Sequence, residues 1–103
     1  MALLEIDSYD AFSERAAEGA YVVYFTADWC VPCRRAAPLI ARIAESDTSI
    51  DIIKIDVDVL PELAERFDVQ GVPTFIVISD DGEEQRRQVG ITPAKEMREF
   101  LAG

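Results

Sequence analysis

Apolar and polar residues follow two rhythms along this chain, and the switches between them mark its elements. Residues 3–6 (Leu-Leu-Glu-Ile) form a short strand pattern. Asp7 or Ser8 then offers a side-chain oxygen to the free N–H groups of a first helical turn. Tyr9, Phe12 and Ala16 recur at helical spacing, and Gly19 ends that pattern. Residues 21–26 (Tyr-Val-Val-Tyr-Phe-Thr) are unbroken β-branched and aromatic, the mark of a strand covered on both faces. Beyond Cys33 the apolar positions Ala37, Ile40, Ala41 and Ala44 return to helical spacing as far as about Glu45. Pro38 lies inside this stretch and is expected to kink it.

Residues 50–57 are a second buried-strand pattern that carries Lys54 within it. Pro61 suits the first turn of a short helix with Leu63, Ala64 and Phe67 inward. Residues 75–78 (Phe-Ile-Val-Ile) form a third apolar run, and Asp80-Asp81-Gly82 supplies a tight turn. Residues 83–89 are charged enough to be an edge strand that resists pairing with other sheets. Thr92-Pro93 predicts a cap and first-turn proline for a last helix that buries Met97, Phe100 and Leu101. The order β-α-β-α-β-α-β-β-α predicts an α/β fold in three layers: a mixed sheet of about five strands with helices on both faces. Its first part is expected to be parallel, because crossover helices join parallel strands, and the late hairpin adds an antiparallel edge.

Composition narrows the classes of function. The 103 residues are half hydrophobic, which suits one domain over residues 1–103 with its own core and excludes disorder. No apolar run approaches the ~20 residues that cross a bilayer, and the start of the chain lacks the basic and apolar regions of a secretory leader. A cytoplasmic protein is expected, where a lone cysteine pair is more often catalytic than structural. With 20 acidic and 10 basic residues the formal charge is −10, which argues against nucleic acid as a partner. The charge suits an ordinary acidic soluble protein. Because only Lys54 and Lys95 are lysines, it also motivates a sharper hypothesis, adaptation to a high-salt cytoplasm. That hypothesis predicts a melting temperature that rises between low salt and molar KCl; an unchanged melting curve would sink it.

Two cysteines, Cys30 and Cys33, are the only ones present, and there is no histidine. Sulfurs three residues apart on a helical turn share a face and can close as a disulfide or open as a dithiol. Tetrahedral zinc requires four Cys or His ligands, and a c-type haem requires histidine after the second cysteine, where Arg34 stands. No metal or cofactor is expected. A structural disulfide closing so short a loop would restrict the unfolded chain little.

The chain resembles the thioredoxin family over nearly its whole length. The match rests on Ala27-Asp28-Trp29-Cys30-Val31-Pro32-Cys33, Pro38, Lys54, Gly71-Val72-Pro73-Thr74, Asp81-Gly82 and Val89-Gly90. The resemblance implies a protein-disulfide reductase in which Cys30 is an exposed nucleophile and Cys33 a more buried resolving thiol. It implies a cis Pro73 beside the sulfurs and a docking patch of Trp29, Val31, Pro32, Val72, Gly90 and Ile91, with the Val72 backbone pairing to substrate. The implied partners are disulfide-containing proteins and a thioredoxin reductase or equivalent electron donor, with the protein itself a monomer. The residues agree with that chemistry. A helix N-terminus favours a thiolate, and Cys30 stands where a strand gives way to a helix, followed by Arg34 and Arg35.

Two departures from the family matter. Val31 replaces the usual glycine of the dipeptide, and dipeptide residues influence the balance of thiol and disulfide. Tyr24 replaces a buried aspartate to which the family assigns proton transfer, and a phenol cannot act as a base near neutrality. Tyr24 is therefore expected to be structural, with Cys33 deprotonated by solvent or through a water. Lys54, without that aspartate, is expected to reach solvent, pair with an acid such as Asp56 or Asp58, or lose its proton readily. A glutaredoxin would carry a Gly-Gly pair where Gly90 stands alone, and a disulfide-isomerase-like oxidase a His in the dipeptide. The rival from another class is a binding module with incidental cysteines, which would keep its partner after both were changed to serine.

Overall fold

The computed structural model describes residues 2–46 and 50–102; Met1, the first residue read for a leader, lies outside them. The strands are β1 (Leu3–Glu5), β2 (Tyr21–Thr26), β3 (Asp51–Asp56), β4 (Thr74–Ile78) and β5 (Glu84–Val89). The helices are α1 (Tyr9–Ala16), α2 (Val31–Ser46), α3 (Pro61–Arg66) and α4 (Ala94–Ala102). The sheet runs in the order β1-β3-β2-β4-β5, so β2 is central, and all six of its residues are buried. Among the described residues no helix is long and apolar enough to cross a membrane.

Strand alternation splits the core into two layers. Val22 and Tyr24 of β2 point to one face, against Ala36, Ile40 and Ile43 of α2 and Met97 and Leu101 of α4. Tyr21, Val23 and Phe25 point to the other, against Phe12 of α1 and Leu63 of α3. The continuous apolar run of β2 is thus explained by helices on both sides of the sheet.

Local chemistry sets most boundaries as expected. The Ser8 hydroxyl accepts the N–H of Ala11 at the start of α1, and Pro61 occupies the first turn of α3. Gly82, in the β4–β5 turn, has φ +84°, a region open to glycine without strain. Helix α2 continues through Pro38 to Ser46. At α4 the boundary shifts by one residue. The helix opens at Ala94, the Pro93 carbonyl accepts the N–H of Met97, and Thr92 sits before the cap, its hydroxyl near the Gln88 amide.

The expected parallel core and antiparallel edge are both present. β1, β3 and β2 are parallel, but β4 runs antiparallel to β2, as β5 does to β4. The chain therefore enters β4 from the end of the sheet where β3 left it, which is also the end that carries the cysteines.

Arginine forks tie the sheet edges to the helix ends. Arg87 donates to the carbonyls of Phe67 and Asp68 just past α3 and to the Glu84 carboxylate, while Arg86 donates twice to the Phe100 carbonyl of α4. These planar forks satisfy carbonyls that the ends of the helices leave unpaired. The hydrogen bond from Arg87 holds Glu84 below its ordinary value. Its contribution is complete above the usual glutamate range and is lost as pH falls through the lowered value.

Candidate active site

The C-terminal end of β2 delivers the chain into the first turn of α2, and the cysteines sit at that junction. Cys30 occupies the cap: its carbonyl accepts the first helical N–H, from Arg34 at 3.1 Å. The first turn of α2 contains no acid and presents the exposed Arg34 and Arg35. Free N–H groups, the positive helix end and these cations all favour negative charge on a sulfur there.

Cys30 and Cys33 are joined as a disulfide, with Cα atoms 5.2 Å apart. The backbone N–H of Cys33 donates to Cys30 Sγ at 3.2 Å, and the same sulfur lies 3.6 Å from the Val72 carbonyl oxygen. The Val72–Pro73 bond is cis. In residue exposure the two cysteines barely differ, at 4% for Cys30 and 2% for Cys33. The expected contrast between an exposed and a buried sulfur is therefore absent in the oxidised form, because Ala27, Val57 and Val72 pack around the pair. The asymmetry lies in their surroundings. Cys30 faces the Val72 carbonyl, whereas Cys33 lines a small cavity of about 100 Å³ with Thr26, Ala37 and Lys54.

The residues expected at the docking patch divide by depth. Trp29 and Val31 are 66% and 46% exposed, and Pro32 is also exposed. Val72 and Gly90 are half-buried and Pro73 is buried; the Gly90 N–H donates to the Pro73 carbonyl at 2.8 Å, which brings the end of β5 to the Val72-Pro73 loop. Ile91 is drawn partly into the core on the α2 and α4 side. Between Trp29 and Val72 runs a groove of about 190 Å³ whose walls include Val57, Ala64 and Val69. Val57 and Ala64 were read from the sequence as apolar positions of a strand and a short helix, and nothing local to these three residues signals a groove.

Asp58 also gains a place that sequence reasoning missed. Its carboxylate accepts the Trp29 indole N–H at 2.8 Å and holds the exposed ring over the site. It is therefore not the partner of Lys54, nor is Asp56, whose carboxylate accepts the backbone N–H of Asp58. Lys54 instead reaches Glu5 on β1, Nζ to Oε1 3.2 Å, because the parallel register sets Glu5 opposite Lys54. This correction to the expected partners comes from the order of strands, which places β1 beside β3.

Tyr24 lies opposite Lys54 on the other side, 1% exposed, with its ring stacked on Phe75 at 4.7 Å between centroids. Its hydroxyl is buried, and among the described residues no group meets it in hydrogen-bond geometry. Burial pushes the phenol above its ordinary value; the nearby Thr26 hydroxyl and the Lys54 charge oppose that shift without reversing it. A phenol raised in this way stays protonated at neutral pH and supplies no base.

Comparison with known proteins follows the same lines. The thioredoxin family model matches residues 3–103. The thioredoxin of Staphylococcus haemolyticus is 37% identical over 102 residues, covering 98% of this chain and 96% of that one. The thioredoxin of Chlamydia muridarum is 37% identical over 89 residues, 86% of each. Among solved structures, thioredoxin NaTrxh of Nicotiana alata superimposes with a TM-score of 0.88 at 30% identity, covering 97% of this chain and 90% of that one. A mutant thioredoxin of Halobacterium salinarum does so with a TM-score of 0.85 at 29% identity, covering 97% and 88%. With its cysteine pair at disulfide distance on the turn between β2 and α2, this chain belongs to the thioredoxin family of thiol–disulfide oxidoreductases.

Proposed function

We propose that the protein acts as one domain that reduces protein disulfides through reversible opening and closing of Cys30–Cys33. The observation that carries this reading is the setting of Cys30 Sγ, which receives the Cys33 N–H at a helix N-terminus and lies beside the Val72 carbonyl. In the reduced protein the Cys30 thiolate attacks one sulfur of a substrate disulfide. A Cys30–substrate bond forms, and the other substrate sulfur leaves with the electron pair and takes a proton. Cys33 then attacks Cys30 Sγ, closes the intramolecular disulfide and releases the second substrate thiolate. The substrate has gained two electrons and the cysteine pair has lost two.

The substrate segment enters along the apolar groove beside Trp29, its backbone pairing with that of Val72 and its body resting on Trp29, Val31, Pro32, Pro73, Gly90 and Ile91. The indole, held by Asp58, is preorganised for contact. A thioredoxin reductase or equivalent donor restores the dithiol. The protein works as a monomer in the cytoplasm, within the electron transport that maintains cell redox homeostasis.

Equilibration against glutathione redox buffers, with both cysteines followed by alkylation, tests this. The expected potential lies nearer the ~−270 mV characteristic of thioredoxins than the ~−120 mV of a strong oxidant. A value at the oxidising end would make the protein an oxidase or isomerase instead.

A further inference from the structure

A cleft of about 330 Å³ opens beside the site on the β1 side of the sheet, and the exchange chemistry makes no use of it. Its walls follow from strand alternation, since side chains two apart share a face. In the parallel register Glu5, Lys54 and Tyr24 form one row, Asp56 and Thr26 form the next, and Asp7 stands two residues past Glu5. All of these except Tyr24 line the cleft, and Asp28 joins them from the loop after β2. Four carboxylates thus face a single ammonium, that of Lys54, which Glu5 already holds at 3.2 Å.

Two of the acids are open to a partner. Asp7 and Asp28 are exposed, and neither meets a cation among the described residues. Thr26 adds an independent sign. It is only 8% exposed, yet it lines both this cleft and the small cavity beside Cys33. Among the described residues its hydroxyl, like that of the neighbouring Tyr24, makes no hydrogen bond. A nearly buried donor and acceptor is therefore turned to the cleft without a partner, which a polar occupant would supply. Among the described residues no three acids gather closely enough to hold a metal ion, so the carboxylates suit a larger cation with several N–H groups.

The cleft also adjoins the docking groove. Asp28 and Trp29 are consecutive, as are Asp56 and Val57; the two acids line the cleft, whereas Trp29 and Val57 line the groove. We propose that the cleft is a second docking site, which takes an arginine side chain from the disulfide substrate, so that proteins with an arginine near the reacting disulfide are preferred. The proposal deepens the exchange reaction proposed above and rests on it for the identity of the substrate. A guanidinium presents five N–H groups in a planar fork, enough to meet carboxylates on separate loops and the Thr26 hydroxyl together. The formal charge of −10 steers basic partners toward the protein, and the cleft gives that attraction a fixed place.

The test is steady-state reduction of peptide disulfides that place one arginine at successive positions beside the cysteine. Each is compared with the same peptide carrying citrulline, which has the same shape and no charge. At one position or more, kcat/KM at low salt is expected to favour arginine about ten-fold. Asp7→Asn combined with Asp28→Asn is expected to shrink that preference to about two-fold or less, and Thr26→Val to weaken it about three-fold. Glu83→Gln combined with Glu99→Gln removes the same charge away from the cleft and is expected to keep the preference. A wild-type protein without preference at any position overturns the proposal, as does a preference lost equally in the Glu83 and Glu99 variant. Amide NMR of the oxidised protein with the arginine peptides, serine replacing their cysteine, reads binding without exchange. Shifts at Asp7, Thr26 and Asp28 are expected, and their absence overturns the proposal. A protein that shows these shifts yet reduces no peptide fails at the exchange reaction instead, so the two failures are told apart.

Discussion

Cys33→Ser is expected to turn the protein from a catalyst into a trap. Cys30 still attacks a substrate disulfide, because its helix-cap position and the N–H of residue 33 persist when the side chain changes. The mixed disulfide then has no internal thiol to release it. Turnover should fall by about three orders of magnitude or more, in line with the loss of a covalent catalyst's essential group. Partner proteins should accumulate as covalent adducts that dithiothreitol releases, visible as shifted bands on non-reducing gels. Cys30→Ser should lose activity as fully without forming adducts, since the remaining thiol at Cys33 is buried and lies on the Thr26–Lys54 cavity rather than beside the Val72 carbonyl. Equal trapping by both variants would mean that the two sulfurs are interchangeable and that the assigned roles are wrong.

The second large effect concerns Tyr24. Tyr24→Ala removes a fully buried ring stacked on Phe75 in the α2 and α4 layer of the core. Such truncations cost about 3–5 kcal/mol, so the melting temperature should drop by something on the order of 20 °C. Tyr24→Phe keeps the ring and removes only a buried hydroxyl that has no hydrogen-bond partner among the described residues. Relieving that unmet polar group should leave stability equal or raise it by about 1 kcal/mol, with disulfide-reductase activity intact. Urea melts and reductase assays on both variants check this. A stable Tyr24→Phe protein with a large loss of activity would give the hydroxyl a chemical role and remove the structural account of Tyr24.

Much of the fold was legible in local pattern because its signals are local. The unbroken run of β2 demands cover on both faces, and Phe12 and Leu63 from one side and Ile40 and Met97 from the other supply it. Ser8, Pro61 and Gly82 mark boundaries through their own capping and backbone chemistry. The direction of β4 was not legible in this way. It depends on how far α3 and its flanking loops carry the chain, and an apolar run reads the same in either direction.

The site divides along the same line. From the sequence alone come the redox pair Cys30 and Cys33 and the missing metal ligands, which are matters of residue type and spacing that the chain states directly. The Val72-Pro73 segment and a tyrosine in place of a carboxylate became legible through the resemblance to the thioredoxin family. Only the tertiary structure decided that Glu5 rather than Asp56 or Asp58 holds Lys54, that Asp58 instead holds Trp29, and that Cys33 and Lys54 share a cavity. Glu5 and Lys54 are brought opposite by the parallel register of β1 and β3, whose neighbourhood is set by sheet order. Sheet order follows from packing both faces of the whole sheet at once, and no single stretch of residues carries that information.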